Sequence, residues 1–280
     1  MILMTTAGKV GGAAARLLAE QGKPVRVLVR DPAKVYGLAQ AGVDIAVGDL
    51  GVPATIDAAM RDVSAVVLVS PALPGQELNV VDSAVRAGVG HVVKITSVAS
   101  ADSPIARRRD QAAIEQGLIA SGLGYTLLRN NAYMQNFLLL APSIAATSSF
   151  GSAAGDGRIG MIDTRDVAAV AAKIAASPAA HAGATYRLSG PESLTYADAA
   201  TVFSKVLDRL ITFYPLTFEE QRQQMVDVGV PERIAEMNAQ AITLFAQGDS
   251  DWLTRDVLSI VGRPAGTFEQ FVTDHTEAFS

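Results

Sequence analysis

Met1-Ile2-Leu3-Met4-Thr5-Thr6-Ala7-Gly8-Lys9-Val10-Gly11-Gly12-Ala13-Ala14-Ala15-Arg16-Leu17-Leu18-Ala19-Glu20-Gln21-Gly22 reads as a short buried strand, a glycine turn and an amphipathic helix. Gly8 and Gly11 stand three apart where strand hands over to helix. Without bulky side chains there, backbone N–H groups and the positive helix end can approach a pyrophosphate. Ala13, Ala14, Leu17 and Leu18 recur at helical spacing, and Gly22 is placed to end the helix in the left-handed conformation. A full G-x-x-G-x-x-G pattern would have its first glycine at Thr5. The turn alone therefore carries two readings, a phosphate cradle or a tight strand-to-helix connection, and the chain beyond it favours the first.

That chain alternates strand and helix. Pro24 to Arg30 is a β-branched run, and Asp31-Pro32 supplies an N-cap and first-turn proline for a second helix. Val43 to Val47 is a third strand ending at Gly48-Asp49-Leu50, and Pro53 opens a helix through Met60. Ala65 to Ser70 is nearly uniformly apolar, as a parallel strand covered on both faces must be. A helix from Gln76 to Ala87 closes on Gly88. A strand follows over His91 to Ser97, then a helix over Asp110 to Ser121 and a strand over Tyr125 to Arg129. Such alternation implies right-handed βαβ crossovers and an α/β fold, a doubly wound parallel Rossmann-type sheet. Ligands of such sheets bind beyond the carboxyl ends of the strands, here Gly8 to Gly11, Arg30, Asp49, Ser70-Pro71, Ser97 and Asn130-Asn131.

After Tyr133 the pattern loosens. Residues 145–157 are rich in Ser, Ala and Gly and read as a loop. Asp163 is placed to cap a helix to Ala176, Thr185 to Ser189 reads as a further strand of the main sheet, and Thr195 caps a helix to Leu207. The remainder is mostly helical. Its stripe Ile234, Met237, Ala241, Leu244 and Phe245 reads as core first, and as a substrate or homodimer face second. The expected organisation is a dinucleotide-binding domain over 1–132, with 163–208 returning to it, and a small, mostly helical second domain over 133–162 and 209–280.

The 280 residues are 49% hydrophobic and 18% charged, which describes a globular chain rather than a disordered one. No apolar run approaches a membrane span, and Met1 leads into the first strand with no basic leader, so a cytoplasmic protein is expected. The absence of cysteine excludes disulfides and thiol catalysis, and His91, His181 and His275 have no metal-ligand spacing, so no metal is expected. A net charge of −5 argues against nucleic acid as a partner. Arg107-Arg108-Arg109 reads as a solvated loop.

The chain resembles the NmrA-like group of atypical short-chain dehydrogenase/reductases, which includes quinone reductases, triphenylmethane dye reductases and NADP-sensing regulators. The likeness lies in Thr5 to Gly11, Val27 to Lys34, Gly48 to Leu50, Val67 to Pro71 and Ala87 to Lys94. Its most specific piece is Ser121 to Phe137, and Ile162 to Ala168 and Tyr186 to Pro191 extend it. It implies a pyrophosphate at Thr6, Ala7, Gly8, Lys9, Val10 and Gly11, an adenosine phosphate near Arg30 and Lys34, and adenine near Asp49 and Leu50. Ser70 and Pro71 would flank the cofactor. Ser97, Asn130 and Asn131 would line the nicotinamide end, and Tyr133, Met134, Asn136 and Phe137 the substrate end. Thr5 stands where the group usually has a glycine, and Gln111 where several relatives place a histidine.

Most short-chain dehydrogenases pair a tyrosine with a lysine four residues on, the lysine lowering the phenol pKa. No tyrosine here has that partner: Gln40, Arg129, Phe137, Gly190, Ala200 and Phe218 occupy the positions. A catalytic acid is therefore not assigned. Quinones and extended conjugated dyes need hydride placement more than a tuned acid, so reduction of such a small-molecule acceptor is the expected activity. A non-catalytic NADP(H)-sensing regulator is the rival, and a carbonyl or imine reductase with an unusual acid is third. Arg30 stands where an NAD-binding fold has an acidic residue, so NADP(H) is expected over NAD(H). A Cβ at Gly11 should crowd the phosphate, so Gly11→Val is expected to abolish dinucleotide binding in a chain that stays largely folded.

Overall fold

The computed structural model describes residues 1–70 and 73–280; Pro71 lies outside them. The chain divides into two compact units, 1–130 with 164–187 and 259–262, and 131–163 with 188–258 and 263–280. Residues 164–187 return to the first unit, and the helix Tyr196–Leu207 buries its apolar face in the second.

The first unit carries β1 (Ile2–Met4), α1 (Lys9–Glu20), β2 (Val25–Val29), α2 (Tyr36–Gln40), β3 (Asp44–Val47), α3 (Pro53–Ala59), β4 (Ala65–Leu68), α4 (Pro74–Ala87), β5 (His91–Thr96), α5 (Ala106–Ala120) and β6 (Gly124–Asn130). After a passage through the second unit, α7 (Thr164–Ala176) and β8 (Ala184–Leu188) return. The sheet order is β3-β2-β1-β4-β5-β6-β8. The pairs β1–β2, β1–β4, β2–β3, β4–β5 and β5–β6 are all parallel. This is the doubly wound order, and its switch point falls between β1 and β4. Burial follows strand alternation: Leu3, Leu28, Val66, Leu68, Val92 and Leu127 join Ile56, Val80, Val81 and Leu118 from α3, α4 and α5 in one core. On the other side α1 buries Val10, Ala14, Ala15 and Leu18 and packs against α7.

Boundaries depart from sequence expectation where tertiary partners override local signals. Asp31 caps a 3-10 turn, Pro32–Val35, before α2 begins. Helix α5 starts at Ala106 rather than Asp110, so the three arginines form its first turn instead of a loop.

In the second unit the region expected to be a loop forms α6 (Ala141–Thr147) and β7 (Ser149–Ser152). Strand β7 is held by parallel pairing with β9 (Thr212–Pro215), which follows α8 (Tyr196–Leu207). Helices α9 (Phe218–Asp227), α10 (Glu232–Thr243), α12 (Phe268–Asp274) and α13 (Thr276–Phe279) complete this unit, while α11 (Asp256–Val261) ends in the first. The core is aromatic: Phe137 lies 4.9 Å from Phe268 and Phe203 4.7 Å from Phe279, centroid to centroid. The α10 stripe is only half-buried, and the face that helix buries fully is Ala235 and Ala239. No helix among the described residues is long and apolar enough to cross a membrane.

Candidate functional site

The site grows from the end of β1. Thr5, where a first glycine was wanted, is 2% exposed, and its hydroxyl donates to Val69 O and accepts from Val69 N–H, both at 2.9 Å. Thr5 N also reaches Val67 O at 3.2 Å. The side chain thus extends the β1–β4 ladder past the last strand residues, a bond no glycine could make. Gly8 is the N-cap of α1 in extended conformation, and the first intrahelical bond runs from Gly12 N to Gly8 O, 2.8 Å. The preceding N–H groups of that turn point out of the helix.

The two fingerprint glycines do different work. A Cβ on Gly11 would stand 2.1 Å from Thr6 O and 3.3 Å from Val69 Cγ1, so its hydrogen lets α1 close on the strand end. A Cβ on Gly8 would meet only Thr6 Oγ1, at 3.8 Å. Nothing among the described residues requires glycine at position 8 for space; an exposed, open cradle over a helix N-terminus fits a pyrophosphate.

At the carboxyl end of β2, Arg30 is exposed and makes no hydrogen bond or ion pair among the described residues. Asp31 beside it accepts from Ala33 N–H at 3.0 Å and so faces its own turn. Lys34 Nζ lies 3.9 Å from Asp31 Oδ2 with its side chain 82% exposed. After β3, Asp49 Oδ1 accepts from Gly51 N–H at 2.7 Å, while Leu50 is buried in the first core.

Beyond β4 to β6 lies a buried ionic network that sequence reasoning missed. Lys94 and Glu77 are both fully buried, with Nζ 2.6 Å from Oε2. Lys94 also donates to Ile95 O, and Glu77 Oε1 accepts from Ser70 Oγ at 2.6 Å. Burial pushes the Lys94 ammonium below the usual lysine range, while Glu77 beside it and Glu115 farther off pull it upward. Thr96 Oγ1 lies 2.9 Å from Gln111 Oε1 and 3.1 Å from Glu115 Oε1, and Glu115 takes a forked ion pair from Arg129. Asn130, the last residue of β6, donates from Nδ2 to Thr96 O at 3.2 Å. A lysine in the middle of a central strand, between Val93 and Ile95, was the available signal, since it survives there only with a carboxylate partner. Ser97 follows β5 at this same edge and is half-buried.

The remaining expected residues belong to the second unit. Asn131 uses its side chain structurally, donating to Ser250 O at 3.0 Å and accepting from Ala132 N–H at 2.8 Å. Neither Asn130 nor Asn131 has positive φ. Met134 and Phe137 are each 1% exposed within the aromatic core, and Phe137 packs against Phe150, Phe203 and Phe268. Tyr133 is half-buried and Asn136 exposed. Gln135 and Asp163, both buried, join through Nε2 and Oδ1 at 2.8 Å.

Residues 1–253 match the model of the NmrA-like family. An NAD(P)H azoreductase of Xenophilus azovorans is 34% identical over 279 residues, 97% of this chain and 96% of that protein. The structure of an NADPH-dependent quinone oxidoreductase of Escherichia coli complexed with NADPH superposes with TM-score 0.88 at 28% identity, covering 99% of this chain and 100% of that one. A Citrobacter triphenylmethane reductase complexed with NADP(H) superposes with TM-score 0.87 at 25% identity, covering 98% and 99%.

Proposed function

We propose that this chain, which belongs to the NmrA-like family, uses NADPH to reduce a quinone-like or extended conjugated acceptor. The premise is an oxidoreductase that uses a nicotinamide coenzyme; NADPH over NADH, and a quinone-like or dye-like acceptor, go beyond it. The observation that carries it is the open cradle at Gly8, at the switch point of a doubly wound sheet where such ligands lie. The azoreductase, quinone oxidoreductase and dye reductase likenesses supply the acceptor class.

The bound dinucleotide would supply the hydride. The chain's own part is to hold it: backbone N–H groups of the Thr6 to Gly11 turn for the pyrophosphate, Arg30 and Lys34 for a 2′-phosphate, and Ser70, Ser97 and Asn130 along the carboxyl edge. With no Tyr/Lys pair, the proton that completes reduction comes from water, which a quinone or dye tolerates because charge spreads over its conjugated system. Incubating the protein with NADPH and a panel of quinones, azo dyes, triphenylmethane dyes and activated alkenes, while following nicotinamide absorbance, tests the reading. Oxidation with a quinone or dye is the expected result; tight NADPH binding with no turnover on either class would favour a sensor.

A further inference from the structure

The buried pair Glu77–Lys94 takes part in no step above, yet it ends on a residue beside the turn. Val69 is bonded twice to Thr5 and would meet a Cβ on Gly11, so its neighbour Ser70 borders the cradle. Ser70 Oγ lies 2.6 Å from Glu77 Oε1, whose other oxygen lies 2.6 Å from Lys94 Nζ. Both charged side chains have zero exposure. A carboxylate held against an ammonium is acceptor-only, so the Ser70 hydrogen goes to Glu77.

We propose that Glu77 and Lys94 are positioning residues that fix the polarity of the Ser70 hydroxyl, making it a hydrogen-bond acceptor toward an amide N–H of the dinucleotide. This rests on the dinucleotide reading above. Replacing the carboxylate by an amide inverts the arrangement: the amide oxygen takes Lys94, its NH2 turns to Ser70, and the serine hydrogen rotates toward the ligand, donor against donor. A purely structural pair would affect melting and leave ligand polarity alone.

The experiment is a double-mutant cycle on Ser70→Ala and Glu77→Gln, read by NADPH fluorescence titration and thermal melting. Each single variant is expected to weaken NADPH binding roughly tenfold, the scale of one hydrogen bond. In the Ser70→Ala background, Glu77→Gln is expected to add nothing. Wild-type affinity in Glu77→Gln, or an equal further loss in the Ser70→Ala background, would overturn the proposal. Should Glu77→Gln alone not fold, Glu77→Leu with Lys94→Met removes the acceptor that holds the Ser70 hydrogen without leaving a lone buried cation, and the same cycle is read. A wild type that does not bind NADPH would overturn the cofactor reading and this inference together; a wild type that binds while the variants match it would overturn this inference alone.

Discussion

Gly11 and Thr6 are in such close approach that the missing Cβ of Gly11 would lie 2.1 Å from the Thr6 carbonyl oxygen, while the same atom on Gly8 would make only an ordinary contact, 3.8 Å from Thr6 Oγ1. Gly11→Ala is therefore expected to cost on the order of 1–3 kcal/mol through forced backbone movement. Gly8→Ala should cost about 1 kcal/mol as a poorer N-cap, yet lose NADPH affinity at least as strongly. Chemical denaturation and NADPH titration of both variants measure this. The expectation that a Gly11→Val chain stays largely folded does not survive the contact with Thr6 O, so Gly8 is the cleaner probe of the cradle.

Arg30 is exposed, and the carboxylate next to it is engaged with Ala33 N–H. Arg30→Ala is expected to weaken NADPH binding by roughly ten- to a hundredfold and NADH binding hardly at all. Parallel titrations of both coenzymes check it; equal losses would remove Arg30 from phosphate recognition.

Lys94→Met leaves the Glu77 carboxylate buried without its cation, a change that costs about 3–5 kcal/mol. Replacing both members, Lys94→Met with Glu77→Leu, should recover most of that loss, since apolar residues of similar volume suit the site. Urea midpoints of the single and double variants decide; a double variant no more stable than the single would contradict the account.

His91 is 4% exposed with Nε2 2.9 Å from Thr126 Oγ1, and the Thr126 hydroxyl donates to His181 O, so His91 must donate. Burial, and His181 nearby, hold its pKa below the ordinary 6.5. Above that value both folded and unfolded chains are neutral here and nothing changes with pH. As pH falls below about 6.5 the unfolded chain takes up a proton that the folded chain refuses, so stability falls until the folded pKa is reached. Melting temperatures from pH 8 to 5 should show this slope, and His91→Gln should flatten it.

Much of the first unit was readable because parallel strands covered on both faces are written as apolar runs, and the strands expected over Pro24 to Arg30 and Ala65 to Ser70 form as Val25–Val29 and Ala65–Leu68. What escaped reading depends on distant partners. Lys94 in a buried strand makes sense only beside Glu77, and Ser149–Ser152, too small and polar to announce a strand, becomes one because Thr212–Pro215 lies alongside. That Met134 and Phe137 join one aromatic core with Phe203 and Phe268 depends on residues far along the chain. Thr5 looked like a defect in a glycine pattern, and only Val69 reveals its two bonds.

The parallel pairing of β7 with β9 also sets an order of events during synthesis. Strand β7 leaves the ribosome long before its partner, and the chain between them supplies α7 and β8 to the first unit. Until β9 follows, β7 has an unpaired edge and Phe150 lacks Phe203 and Phe213, surface prone to mistaken association. The second unit's sheet can therefore pair only after β9 has emerged. A cut at any single peptide bond between residues 131 and 187 would leave two fragments, neither containing a whole unit.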